Sequence, residues 1–202
     1  MTVRAVFFDV GETLVDEQRY WRVVADAVGL GPHVLWAALG VTIARNEEHW
    51  GLWRHLGLER PAGAWESVVY SIDDLYPDAL DCLERLRAAG LFVGVAGNQT
   101  AALEAWASSA LPADVVTGSA RLGVRKPDQA FFERLVDIAG APASEVAYVG
   151  DRADNDAGPA LAAGLVSVHL RRGPWGKLQP TPAGAVAIES LAELPGALAS
   201  VA

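Results

Sequence analysis

The sequence predicts an α/β protein: a doubly wound parallel sheet with a small α-helical element inserted after the first strand. Three observations predict it. Short, nearly continuous apolar runs recur at residues 3–8, 91–96, 115–116, 146–149, 165–170 and 185–188, amphipathic helical stretches separate most of them, and one long tryptophan-rich segment interrupts the alternation. Apolar runs without polar alternation belong to strands buried on both faces, as in a parallel sheet flanked by helices.

The first run, residues 3–8, ends by delivering Asp9 into the turn Val10-Gly11-Glu12-Thr13. The next strand begins only at Leu91, much further along than a βαβ link requires, so residues 16–76 are read as an insert and residues 1–15 with 77–202 as the core. The insert holds Trp21, Trp36, Trp50, Trp53 and Trp65, five of the seven tryptophans. At helix-compatible spacings these rings are expected to form the core of a small helical bundle; the alternative is that one or two of them line a substrate pocket. Residues 77–89 place Leu80, Leu83 and Leu86 at helical spacing and stop at Gly90. Residues 91–96 lead to Gly97 and Asn98, and residues 100–110 read as a helix for which Asn98 is a candidate cap. Residues 128–139 follow Pro127, carry Phe131, Phe132, Leu135 and Ile138 on one face, and end at Gly140. In such a Rossmann-like sheet, sites form beyond the carboxyl ends of the strands.

Composition narrows the function. Hydrophobic residues make up 51% of the 202, enough to bury a full core, but no apolar run reaches the roughly 18–20 residues of a membrane helix. The N-terminus enters the first strand without a basic region or small-residue cleavage site, so no secretory signal is expected. A formal net charge of −9 opposes binding to nucleic-acid backbones. A small phosphorylated partner stays compatible, because a local lysine and a divalent cation outweigh the global field at contact range. Cys82 is the single cysteine, which rules out an internal disulfide and suits a reducing, cytoplasmic location. The oligomeric state is left open.

Four segments in order carry the chemistry: Phe8-Asp9-Val10-Gly11-Glu12-Thr13-Leu14, Val95-Ala96-Gly97-Asn98, Arg125-Lys126-Pro127-Asp128, and Gly150-Asp151-Arg152-Ala153-Asp154-Asn155-Asp156. As an ordered set they resemble the haloacid dehalogenase superfamily, in its type with a helical cap between the first and second motifs. The resemblance implies a Mg²⁺-dependent phosphohydrolase acting on a small phosphorylated metabolite. Asp9 would be the nucleophile that forms an aspartyl-phosphate, Lys126 would hold nucleophile and phosphoryl group, and Gly97 and Asn98 would offer donors to phosphate oxygens. The metal would sit on the Asp9 and Asp151 side chains and the Gly11 carbonyl, with Asp156 orienting a metal-bound water. Asp154 reads as a solvated loop residue. Arg45, His49, Arg54 and His55 of the insert are candidate substrate contacts.

Two positions depart from the family pattern. Gly11 stands where family phosphatases carry an Asp that protonates the leaving oxygen and later activates water, a role worth about 10²–10⁴ in rate. Glu12 is the neighbouring carboxylate, but adjacent residues in a turn point differently. Gly97 stands where a Ser or Thr hydroxyl binds phosphate. Two other functions stay open: a non-catalytic ligand-binding protein on the same fold, and a 2-haloacid dehalogenase, whose displacement of halide needs no proton donor.

Overall fold

A computed structural model describes residues 2–63 and 68–201; Trp65 lies outside them. Six strands form one parallel sheet: β1 (Ala5–Phe8), β2 (Phe92–Gly97), β3 (Val115–Gly118), β4 (Val146–Gly150), β5 (Val166–Leu170) and β6 (Val186–Ile188). Their order is β3-β2-β1-β4-β5-β6. The ten α-helices are α1 (Gln18–Ala27), α2 (Pro32–Ala44), α3 (Gly51–Leu56), α4 (Ala79–Ala88), α5 (Ala101–Ala110), α6 (Ser119–Leu122), α7 (Gln129–Ala139), α8 (Gly158–Ala162), α9 (Gly173–Leu178) and α10 (Leu194–Ser200), counted among the described residues. This is the doubly wound α/β architecture expected from the alternation of apolar runs and helices. All six runs became strands, shifted by a residue or two at their ends.

Successive residues of a strand point to opposite faces, so each apolar run supplies two cores. Val6, Phe8, Val93, Val95, Ala147, Val149 and Val168 face Cys82, Leu83 and Leu86 of α4 and Leu194 and Leu198 of α10. Ala5, Phe7, Ala96, Val146 and Tyr148 face Phe131, Phe132 and Leu135 of α7 and Ala160 of α8. Ile138, assigned by periodicity to the buried face of α7, is 37% exposed, in the last turn of the helix.

Residues 18–56 build a separate apolar cluster from α1, α2 and α3, with Trp21, Leu35, Leu39, Leu52 and Trp53 buried in it. Trp175 of α9 joins this cluster from the sheet side. The chain leaves and re-enters the sheet layer at neighbouring points: the Asp16 N–H donates to the Asp74 carbonyl at 2.8 Å and the Tyr76 N–H to the Leu14 carbonyl at 2.9 Å. Among the described residues no single helix is long and apolar enough to cross a membrane.

The α7 face is the most sensitive place to test this packing. Phe132 is fully buried and meets the Tyr148 ring edge-on at 5.2 Å. Phe132→Ala is expected to cost about 3–5 kcal/mol in urea unfolding, and Ile138→Ala under about 1 kcal/mol. Equal costs would mean that α7 packs by a different face.

Candidate active site

β1 is the point where the strand order reverses, with β2 on one side and β4 on the other, and a crevice opens beyond the carboxyl ends at such a point. Three of these strands deliver residues into it: Asp9 follows β1, Gly97 and Asn98 lie at the end of β2, and Asp151 follows β4. Lys126 comes from the loop between α6 and α7.

Lys126 organises the crevice. Its Nζ lies 2.9 Å from Asp9 Oδ1 and 2.6 Å from Asp156 Oδ1, and its side chain is 1% exposed. Burial alone would lower its pKa, but Asp156 and then Asp9 outweigh that and hold it well above the ordinary lysine range. It is an ammonium ion at any working pH. Asn98 sets its height: the Asn98 side-chain amide donates to the Lys126 carbonyl at 2.9 Å, and its oxygen accepts from the Lys126 N–H at 2.8 Å. The Asn98 side chain thus works on the lysine backbone and does not cap α5. That cap is Thr100, whose hydroxyl accepts from the Leu103 N–H, because its extended backbone puts it one residue before the helix.

Asp156 is fully buried with both oxygens engaged, Oδ1 by Lys126 and Oδ2 by the Arg152 N–H at 3.0 Å. Burial pushes its carboxyl up to about 6, with Lys126 opposing. Asp151 is buried too, and burial, then the charges of Asp156, Asp9 and Glu12, push it well above the usual carboxylate range. Its main chain is tied down by His169, whose Nε2 lies 3.0 Å from the Asp151 carbonyl. A carbonyl only accepts, so Nε2 carries the hydrogen. Ligand oxygens of Asp9, Asp151 and Asp156 lie within 4.8 Å of one another. Three carboxylates therefore share one ammonium, and no ion pair to Asp151 forms among the described residues. An oxygen-only donor set with excess negative charge, largely removed from water at the floor of the crevice, fits a small hard divalent cation. Asp154 is exposed, as a loop residue there was expected to be, and is paired at the surface with Arg152 through Nε at 3.1 Å and a second nitrogen at 2.7 Å.

The two glycines have spatial consequences. A Cβ on Gly97 would lie 2.4 Å from Asp9 Oδ1, so a serine or threonine there is incompatible with this position of Asp9. A Cβ on Gly11 would lie 2.3 Å from Oε1 of Glu17. Glu12 borders the same crevice, but it is 6% exposed and its carboxylate is tied to neighbouring groups. Its φ of 50° is a left-handed conformation uncommon for a side-chain residue, and its carboxylate accepts from the Tyr76 hydroxyl at 2.6 Å and the Glu17 N–H at 3.2 Å. Burial and then Glu17 push the Glu12 carboxyl up to about 8. Glu17 accepts from the Tyr70 hydroxyl at 2.6 Å. Burial pushes it up to about 7, Tyr70 opposing and Asp9 adding to the rise.

Above these groups is a cavity of about 580 Å³ whose lining includes Asp9, Gly11, Glu17, Lys126, Asp151, Trp21, Trp36, His49, Trp50, Tyr70 and Trp175. Trp21 is buried and Trp36 and Trp50 border the cavity, so the tryptophans serve both as core and as wall; Trp53 is core alone. Of the four polar residues proposed as contacts, only His49 reaches the cavity. Arg54 and His55 pair with Glu47, at 2.9 and 2.7 Å, and Arg45 lies on the exposed surface. Glu17, Tyr70 and Trp175 escape sequence reasoning because the contacts that place them, Glu17 with Tyr70 and Trp175 with α1, α2 and α3, join parts of the chain far apart.

A carboxylate beyond the central strand, clamped by a buried lysine and flanked by two further acids, defines a hydrolase-type site on a doubly wound α/β fold. The haloacid dehalogenase-like hydrolase family matches residues 3–164, and the chain belongs to that family. It is similar to the glyceraldehyde 3-phosphate phosphatase of Methanocaldococcus jannaschii, 31% identical over 125 residues that cover 59% of this chain and 54% of that one. The enzyme of the same name from Methanopyrus kandleri is 33% identical over 123 residues, covering 58% and 52%. The chain thus spans about half the length of these curated relatives. A dehalogenase solved with an intermediate complex superposes with a TM-score of 0.68 at 25% identity, covering 96% of each chain.

His49 gives the wall of the cavity a pH signature. It stacks on Trp21 at 5.6 Å and on Trp175 at 6.0 Å. Burial, then Arg152 and Arg60, lower its pKa to about 3. A depressed folded-state pKa means that its contribution is present above the unfolded value near 6.5 and is lost as pH falls toward 3. Relative to His49→Phe, the native chain should lose about 2 kcal/mol of stability between pH 7 and 4, less than the full shift because His49 keeps some solvent contact. Parallel stability curves for the two chains would show that His49 titrates normally.

Proposed function

We propose that the chain is a Mg²⁺-dependent phosphohydrolase of small phosphorylated metabolites, working through Asp9. The observation that supports this best is the linked set Asp9–Lys126–Asp156 beside the buried Asp151. A carboxylate poised by an ammonium can attack phosphorus, and the same ammonium stabilises negative charge on the phosphoryl oxygens. The Asp9 and Asp151 carboxylates and the Gly11 carbonyl would hold Mg²⁺, which when bound offsets repulsion between the attacking carboxylate and its anionic substrate. Asp156 keeps Lys126 charged and in place. Main-chain N–H groups at Gly97 and Asn98 donate to phosphate oxygens, replacing the hydroxyl that Gly97 lacks.

Residues 16–76 act as a cap, and the aromatic wall from Trp21, Trp36, Trp50 and Trp175 closes the cavity over the reacting group. A cavity of this size suits a small metabolite, in keeping with the name of the two relatives. A reducing cytoplasm suits the single buried thiol of Cys82. The 2-haloacid dehalogenase reading is favoured by the structural likeness to a dehalogenase and by the absence of an acid at Gly11, since a departing halide needs no proton. It gives no use to the excess carboxylates around Asp9, which repel an anionic haloacid unless a cation is bound.

The test is release of phosphate from an aryl phosphate and a panel of sugar and triose phosphates, alongside halide release from 2-chloropropionate. Phosphate release that is lost with chelator and falls at least about 10³-fold in Asp9→Asn is expected. Halide release in chelator would transfer the protein to the dehalogenase class. Independently of turnover, Mg²⁺ should raise the melting temperature of the native chain and leave that of Asp151→Asn unchanged; equal rises in both would place the ion elsewhere.

A further inference from the structure

The missing carboxylate at Gly11 is replaced in space by one from the first turn of the insert. A Cβ built on Gly11 would fall 2.3 Å from Oε1 and 2.9 Å from Cδ of Glu17, so the Glu17 carboxylate fills the volume that an aspartate side chain at position 11 would occupy. Gly11 has no left-handed backbone that would itself demand glycine. A side chain at this position would have to displace the Glu17 carboxylate.

Three contacts hold Glu17 there. The Tyr70 hydroxyl donates to Oε1 at 2.6 Å, the Trp21 indole is a second hydrogen-bonding partner of the carboxylate, and the Glu17 N–H donates to Glu12 at 3.2 Å. Tyr70 comes from the far end of the insert, so both ends of residues 16–76 meet at this carboxylate. Glu12, the closer residue in sequence, is committed to Tyr76 and packs against Gly173. Glu17, Glu12 and Asp9 all line the same cavity, and it is Glu17 whose carboxylate lies on Gly11.

We propose that Glu17 is the general acid and base of this site, donating a proton to the leaving oxygen and then taking one from water. The inference rests on the phosphohydrolase reading. In the first half-reaction an Asp9 oxygen bonds to phosphorus, the phosphorus–ester oxygen bond breaks, and the departing oxygen takes the Glu17 proton. In the second, the Glu17 carboxylate takes a proton from water as the water oxygen bonds to phosphorus and the Asp9–phosphorus bond breaks. Inorganic phosphate leaves and Glu17 is again protonated. Each carboxylate oxygen has two lone-pair directions, so bonding to Tyr70 and Trp21 leaves acceptor capacity for the substrate.

The experiment compares kcat/KM, which reports the steps through first phosphoryl transfer, for an alkyl phosphate and for p-nitrophenyl phosphate in the native chain, Glu17→Gln, Glu17→Ala, and Glu17→Ala combined with Gly11→Asp. An alkoxide leaving group needs a proton and a nitrophenolate hardly does. Glu17→Gln should therefore lower the alkyl value about 10²–10⁴-fold and the aryl value less than about tenfold. Gly11→Asp should restore most of the alkyl activity lost in Glu17→Ala, since the removed side chain frees the volume that the aspartate fills. Equal losses on both substrates without rescue, as from a misfolded chain, or no loss at all, overturn the proposal. A native chain that hydrolyses neither ester overturns the phosphohydrolase reading and the role of Glu17 with it, and so differs from a failure of Glu17 alone.

Discussion

The contact on which the rest of the site depends is the double ion pair of the buried Lys126 ammonium with Asp9 and Asp156. Taking an ammonium out of water is costly, and it is tolerated only where charge and hydrogen bonds replace the lost solvent. Removing one partner of such a pair typically costs about 3–5 kcal/mol. Every nearby element serves it. β1 presents Asp9, the segment after β4 turns Asp156 back under the lysine, and Asn98 at the end of β2 fixes the lysine main chain. Even so, the balance remains negative, since Asp151 adds a third carboxylate with one ammonium between them. That excess is the physical reason for placing a divalent cation there.

The two departures from the family pattern then become changes of packing as much as losses of function. At Gly97 the absent side chain leaves room for Asp9 Oδ1, and at Gly11 for the carboxylate of Glu17. A chain that lost a catalytic group by drift would be expected to leave a gap or an apolar filling at that spot. Here the same functional group occupies it from another part of the chain, held by a tyrosine brought in from the end of the insert.

How much could be read from the sequence follows from the range of the interactions. The strands were legible because burial on both faces gives continuous apolar runs, and Asp9 and Asp151 were legible as acids that directly follow two of them. The roles of Asp9, Lys126, Asp151 and Asp156 came from the resemblance of the four ordered segments to a known family, and the structure brings the four residues together. The task of the Asn98 side chain was not legible, since its partner is 28 residues away. Nor was Glu17: on sequence alone it is an acidic residue ahead of α1, and its partner Tyr70 is 53 residues further on. Nor was Trp175, which follows β5 in the chain and completes the aromatic cluster of α1, α2 and α3.

The central claim is that Asp9 carries the phosphoryl group during turnover. It is tested most directly by quenching the enzyme in acid while it hydrolyses an aryl phosphate with Mg²⁺ and examining its proteolytic peptides by mass spectrometry. The account predicts a phosphoryl adduct on the peptide of β1, located at Asp9 and absent when chelator replaces Mg²⁺. Turnover without an adduct at any quench time, and with inversion rather than retention of configuration at phosphorus, would mean direct attack by water and would contradict it.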